Sequence, residues 1–296
     1  MRSYSSITTI IMHHPDRPVD CLVRALDSLA ASTTMDLVVE VVVQGRSRDG
    51  SLPELPPVES FPFELSYQMN ASNIGNSLPL AQSAAKCRTG IWSKLDDDTV
   101  LPDKGWDLLL KVLEEEEQYT DEPFVFDIGA VAFGHHDSIP RLIKVSEGYL
   151  YRVPGSFVKR DGDGVSWEVA DFGSNGATIY LPEVFSRGCG FDPTHFVVSE
   201  HIDMALQMSR EGFHVIQVTE PLAPHNKNEC TPAAYHGIRL SPKRIVEGYE
   251  KLRSKWGLCD VALHNNAHGR FPPGTKKIFV AGGPRQTEGI PSCRDQ

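Results

Sequence analysis

The chain has 296 residues, 40% hydrophobic and 23% charged, and its 29 Lys and Arg against 39 Asp and Glu give a formal net charge of −10. That composition is expected of a folded, soluble chain and excludes disorder as the main state. The acidic balance argues against a protein that works by electrostatic attraction to a nucleic-acid backbone or an anionic membrane.

No apolar run approaches the roughly 20 residues that span a bilayer, and Met1 to Tyr4 leads into a β-like segment rather than a signal-peptide core. A cytoplasmic location is the expectation. Cys21, Cys87, Cys189, Cys230, Cys259 and Cys293 are scattered with no C-x-x-C pair, so they read as reduced thiols rather than a zinc site or a disulfide scaffold.

The first half alternates strand and helix patterns. Ile7 to Met12 is a β-branched run, and Val19 to Ala31 carries Leu22, Leu26 and Leu29 at helical spacing. Leu37 to Val43 and Phe63 to Tyr67 read as strands, Leu80 to Lys86 as a helix, and Ile91 to Leu95 as a fourth strand. This βαβ alternation predicts a mostly parallel sheet flanked by helices, with ligands at the carboxyl ends of the strands.

The fourth strand runs into Asp96-Asp97-Asp98, followed by a helix over about 103–118. From 125 to 153 the pattern turns to short strand-like runs, a smaller mixed β part. A loose stretch follows over 154–164, then strands near 167–170 and 176–181. A helix from Glu200 to about Arg210, a last sheet strand over 215–219 and an amphipathic helix over 242–256 complete the order, and the tail after Gly257 reads as irregular. The expected division is one domain over 1–257, in two halves that meet near 120, and an extension over 258–296.

Three adjacent carboxylates repel one another unless a cation neutralises them. Mg²⁺ or Mn²⁺, with oxygen ligands and room left for substrate phosphates, is the natural partner. In extended or turn backbone Asp96 and Asp98 point one way and Asp97 the other. The plainer reading is an acidic loop before a helix, complementing its dipole.

Ile7 to Met12, V-V-V-Q-G-R-S-R-D-G-S (Val41 to Ser51), N-I-G (Asn73 to Gly75), K-L-D-D-D-T-V-L-P (Lys94 to Pro102) and Gly105-Trp106 resemble the nucleotide-binding half of family-2 glycosyltransferases with the GT-A (Rossmann-like) fold. Gly176-Ala177-Thr178, R-G-C-G-F-D (Arg187 to Asp192), S-E-H-I-D-M-A-L-Q-M (Ser199 to Met208), R-E-G-F (Arg210 to Phe213), Pro224-His225 and K-L-R-S-K-W-G (Lys251 to Gly257) follow in the order of that family. The resemblance implies a metal-dependent transfer of a hexosyl group from a nucleotide-diphosphate sugar, UDP-sugars first, to an acceptor hydroxyl, with the half to about 120 binding the nucleotide-sugar and 121–257 the acceptor. Inversion is the first expectation, and retention stays open because retaining members also carry a Glu with a polar neighbour at the position of Glu200-His201. It implies a D-x-D motif in which Asp96 lies near the ribose or reaches the metal through water, Asp98 binds the metal, and His225 completes the site, with Asp97 beside the nucleotide.

Two positions depart from the family's pattern. Glu200-His201, followed by Asp203, stands where an acidic pair usually supplies the base; His201 could act as one near neutral pH, and Glu200 and Asp203 could equally complement the helix dipole. Gln44 replaces an acid that usually binds the nucleotide, and its amide could still pair with a base edge. Asn73 and Gly75 form either a turn that lets backbone approach the nucleotide or an ordinary turn. A catalytically inactive GT-A module and a sugar-nucleotide pyrophosphorylase are the alternatives, the latter lacking its Gly-rich phosphate loop.

The acceptor class is open, with specificity expected in the segment from about 134 to 173 and in the tail. His13-His14 and His135-His136 read as loop residues, because adjacent side chains diverge. Tyr149, Tyr151, Phe157, Trp167 and Phe172 read as core and pocket wall, and Glu114 to Glu117 as a solvated helix face.

Overall fold

The computed structural model describes residues 4–87, 90–119, 124–134, 142–145, 148–151, 158–162, 164–170, 176–196, 200–230, 242–256, 260–261 and 285–286. The strands are β1 (Ser6–His13), β2 (Asp36–Gln44), β3 (Glu64–Asn70), β4 (Ile91–Asp96), β5 (Phe124–Val125), β6 (Asp127–Phe133), β7 (Leu142–Val145), β8 (Gly148–Tyr151), β9 (Val158–Gly162), β10 (Val165–Ala170), β11 (Ala177–Tyr180), β12 (Phe213–Val218), β13 (Asp260–Val261) and β14 (Arg285–Gln286). The helices are α1 (Val19–Ala30), α2 (Ser77–Lys86), α3 (Gly105–Glu116), α4 (Pro182–Ser186), α5 (Glu200–Arg210), α6 (Lys227–Cys230) and α7 (Pro242–Trp256).

Nine strands form one sheet in the order β3-β2-β1-β4-β11-β6-β12-β10-β9. The pairs β2/β3, β1/β2, β1/β4 and β6/β12 are parallel, and β4/β11, β6/β11, β10/β12 and β9/β10 are antiparallel. The sheet is therefore mixed, not mostly parallel as the alternation suggested. A parallel neighbour needs a long crossover, which α1 supplies from β1 to β2 and the segment over 45–63 from β2 to β3, while α2 carries the chain from β3 across to β4 beside β1. The later strands β9 and β10 instead follow one another without a helix, and β11 wedges in reversed between β4 and β6.

Helices cover both faces of the sheet, and the period-2 alternation decides which side chain meets which helix. Ile7, Ile11, Val39, Val41, Ile91 and Leu95 pack with Leu22 and Leu26 of α1 and Trp106, Leu109 and Leu113 of α3. Ile10, Val42 and Trp92 pack with Leu80 of α2 and Met204 and Met208 of α5. Trp92, Lys94 and Asp96 thus lie on the α2/α5 side of β4, and Ile91, Ser93 and Leu95 on the α1/α3 side.

Several local expectations change. The stretch read as loose contains β9, and α4 was not anticipated. The tail contributes two short strands, β13 against β7 and β14 against β5. Glu116 is buried rather than solvated, accepting from Trp167 Nε1 at 2.7 Å. Trp167 itself is core. His135, His136, Phe157, Phe172, Cys259 and Cys293, most of the segment from 134 to 173, and the side chains of Tyr149 and Tyr151 lie outside the described residues.

Cys21 and Cys230 form a disulfide, which corrects the reading of six reduced thiols. No spacing motif announces a bridge between residues so far apart in sequence. Cys87 and Cys189 are free. Among the described residues, no helix is long and apolar enough to cross a membrane.

Candidate functional site

β4 ends at Asp96, and a turn closed by the Thr99 N–H on the Asp96 carbonyl at 3.0 Å carries Asp97 and Asp98. The segment after β12 runs alongside. Val100 N donates to the Pro224 carbonyl at 3.3 Å, Asn226 N donates to the Asp98 carbonyl at 2.8 Å, and Thr99 and His225 form an antiparallel bridge. These backbone bonds bring His225 to the acids. Its Nδ1 is 3.7 Å from Asp98 Oδ1 and its Nε2 is 3.9 Å from Asp96 Oδ2.

One ligand atom from each of Asp96, Asp98 and His225 lies within 4.8 Å of the others. Two carboxylates and one imidazole suit a hard or borderline divalent cation such as Mn²⁺ or Mg²⁺. Asp98 and His225 are largely buried, whereas the Asp96 side chain is 24% exposed, so the group opens to solvent on the Asp96 side.

Asp97 is turned inward and 1% exposed. His13 Nδ1 meets its Oδ2 at 2.8 Å, and Arg17 donates to its Oδ1. The guanidinium of Arg17, also buried, reaches Asp98 Oδ2 at 2.7 Å and the Cys230 carbonyl at 2.8 Å. Lys94, on the same side of β4 as Asp96, pairs with that carboxylate. Arg17 and Lys94 supply the cations around the acidic triplet and His13 a hydrogen bond to it, and sequence reading missed all three. Continuing the alternation of β1 to His13 would have placed it facing Asp97; nothing in the local pattern marked Arg17.

Gln44 is 3% exposed, and both ends of its amide are engaged within the protein. Nε2 donates to the Gly75 carbonyl at 2.7 Å, and Oε1 accepts from the Ile74 N–H at 3.1 Å. Asn73 Oδ1 accepts from Gly75 N at 2.9 Å, closing an Asx turn. Gly75 has φ +81°, and a Cβ there would collide with the Phe196 carbonyl oxygen. Gln44, Asn73 and Gly75 thus build one tight loop at the carboxyl end of β2.

Glu200 and His201 open α5. Glu200 is buried and His201 partly exposed. Burial raises the pKa of the Tyr180 hydroxyl, and the charge of Glu200 adds to the effect, so the start of α5 lies near the face that carries Trp92, Lys94 and Asp96. Asp203 is fully buried and accepts from Gln207 Nε2 at 2.8 Å, Lys255 Nζ at 2.9 Å and Trp256 Nε1 at 2.6 Å. Lys255 also reaches Asp192 at 2.9 Å. Burial would lower the pKa of Lys255, but Asp203 and Asp192 more than reverse that, so its charge is held. Asp192, His195 and Asp203 could geometrically surround a cation; the Lys255 ammonium already stands on both carboxylates.

No family model matches the chain, and no curated protein matches it. Among solved structures, the chain is similar to the mannosyltransferase PcManGT from Pyrobaculum calidifontis in complex with GDP-Man and Mn²⁺, at a TM-score of 0.51 and 15% identity over 84% of this chain and 64% of that one. It also matches TarS from S. aureus at a TM-score of 0.45 and 12% identity, over 74% of this chain and 36% of that one. The chain therefore spans less than two thirds of the length of either structure. The first likeness shows the fold: a GT-A-like glycosyltransferase fold.

Proposed function

We propose that this chain is a metal-dependent glycosyltransferase that moves a sugar from a nucleotide-diphosphate sugar to an acceptor hydroxyl with inversion. The observation that carries the reading is the convergence of Asp96, Asp98 and His225 within 4.8 Å at a strand's carboxyl end, where open α/β sheets bind ligands. Those three residues would hold Mn²⁺ or Mg²⁺, which when bound supplies charge neutralisation for the departing diphosphate.

The chain's own groups do the rest. Arg17 neutralises Asp97 internally and His13 holds its other oxygen, so Asp97 acts by holding the turn rather than by touching the nucleotide. The Gln44–Gly75 loop shapes the base and ribose side with backbone, since the Gln44 amide is already engaged. Asp203 anchors α7 to α5 through Lys255 and Trp256, which leaves Glu200 and His201 as the groups to take the acceptor proton.

The test is a panel of UDP-, GDP- and dTDP-sugars with Mn²⁺ or Mg²⁺, with and without a chelator, following both transfer and slow donor hydrolysis. Metal-dependent release of free sugar supports the reading. Tight nucleotide-sugar binding without turnover favours an inactive module, a second reading supported by Gln44 and His201 standing where acids were expected.

A further inference from the structure

His225 is held against the acids by a strap whose far end is fixed twice. Beyond Asn226 the chain makes the four-residue helix α6, too short to be stable alone. It closes with Cys230 N on the Asn226 carbonyl at 3.0 Å. At its end the Cys230 carbonyl accepts from Arg17 Nε at 2.8 Å, and the Cys230 sulfur is bonded to Cys21 in the first turn of α1. Arg24 of α1 adds bonds to the Cys21 and Cys230 sulfurs at 3.3 and 3.4 Å and an ion pair to Glu229 at 3.0 Å. Leu22 and Leu26 root α1 in the core. One rigid corner, from Arg17 to Arg24, therefore reaches both arms of the candidate metal site: the Asp97-Asp98 turn through the guanidinium and the His225 arm through the disulfide.

We propose that Cys21 and Cys230 are positioning residues for His225, and that thiol–disulfide exchange at this bridge loosens the metal site. The inference rests on the metal reading given above. In the exchange an external dithiol reduces the bridge: the Cys21–Cys230 S–S bond breaks, each sulfur takes a hydrogen, and the dithiol closes to its own disulfide. With the bond gone, the arm keeps the Arg17 bond and the backbone bonds near Asp98 but loses its covalent anchor. Side chains that orient a ligand typically contribute 10- to 100-fold in metal affinity, and a strap on one of three ligands should fall near the lower end of that range.

The experiment titrates Mn²⁺ alone into the full chain, reading free Mn²⁺ by its paramagnetic resonance signal, with no donor and no turnover. Cys21→Ser should weaken Mn²⁺ binding about 10-fold while circular dichroism stays native. His225→Ala should weaken it by at least as much, and the double variant should match His225→Ala alone, because the bridge acts through that imidazole. Dithiothreitol should shift the unmutated protein to the Cys21→Ser value, expose two further thiols, and leave Cys21→Ser unchanged. A Cys21→Ser titration superimposable on the unmutated one, or fully additive losses in the double variant, overturns the proposal. So does a protein that shows no difference in thiol count before and after reduction. If Cys21→Ser does not fold, Cys230→Ser and the reduced unmutated protein carry the same comparison; if none of these folds, the bridge is a folding element and the positioning role is overturned. An unmutated chain that binds no Mn²⁺ sinks the metal reading itself, an outcome distinct from equal binding by the variants.

Discussion

The imidazole of His225 stands 3.7 Å from the carboxylate of Asp98, and the backbone of the next residue, Asn226, donates to the carbonyl of Asp98 at 2.8 Å. Main-chain bonds set this pairing locally, so replacing the Asp98 side chain leaves the backbone of His225 beside it. Asp98→Asn should weaken Mn²⁺-dependent donor binding by more than about 100-fold, since a direct oxygen ligand is lost from a site with few protein ligands, while its loss of stability is limited because Asp97 still pairs with the buried Arg17. An unaltered metal titration in the Asp98→Asn variant would remove Asp98 from the site.

Asp97 should behave in the opposite way. Its carboxylate is 1% exposed and bound by His13 and Arg17, so Asp97→Ala leaves a buried guanidinium short of one counter-charge. Breaking a buried pair from one side costs about 3 to 5 kcal/mol; Asp98, which also binds Arg17, should hold the loss toward the lower figure. Urea unfolding measures it, and a midpoint equal to that of the unmutated chain would refute the internal role.

These two acids show how far the sequence could be read. Alternation along β4 correctly separated Asp96 and Asp98 from Asp97, because period 2 is a local property of extended chain. The parallel strands, α1, α2 and α5 were visible for the same reason. The partners of Asp97 were not, since Arg17 lies in a loop without periodicity and the bridge from Cys21 to Cys230 depends on how distant elements pack. Gln44 looked like a base-reading amide, because nothing local shows that its donor and acceptor are both spent on the Ile74-Gly75 backbone. The sheet's second half misled by extrapolation, where short strands joined without helices reverse direction.

Gly75 tests the nucleotide loop. At φ +81°, with the Phe196 carbonyl oxygen where a Cβ would need to sit, Gly75→Ala must move backbone on one side or the other. A cost of about 1 to 3 kcal/mol is expected, with donor binding weakened more than Mn²⁺ binding because the loop lies at the end of β2 rather than at the acids. Equal donor affinity in the two proteins, by calorimetry, would separate this loop from the site.

His214 sets an acid limit on stability. Burial pushes its pKa down from 6.5 to about 4, the Asp127 backbone only partly opposing. The folded state keeps the imidazole neutral while the unfolded chain protonates near 6.5, so stability is full above that pH and falls as pH drops toward 4. The difference corresponds to about 3 kcal/mol. His214→Gln should flatten the stability curve between pH 6.5 and 4, measured by urea unfolding across that range; an unchanged slope would assign the acid sensitivity elsewhere.

The proposed proton transfer at the first turn of α5 is open to test. Asp203 is fully buried and spent on Gln207, Lys255 and Trp256, so Asp203→Asn should lower thermal stability and change transfer only in proportion to folded protein. His201 is partly exposed at the helix start. If it takes the acceptor proton, His201→Asn should cost about 10² to 10⁴ in kcat. If Glu200 is the base, Glu200→Gln should be the severe change, with most of the rate kept by the His201 variant. Donor hydrolysis measured beside transfer separates a missing base from a damaged acceptor site: a lost base slows transfer while the metal-dependent departure of the diphosphate continues into water. Near-normal transfer in both single variants would move the catalytic edge away from this helix.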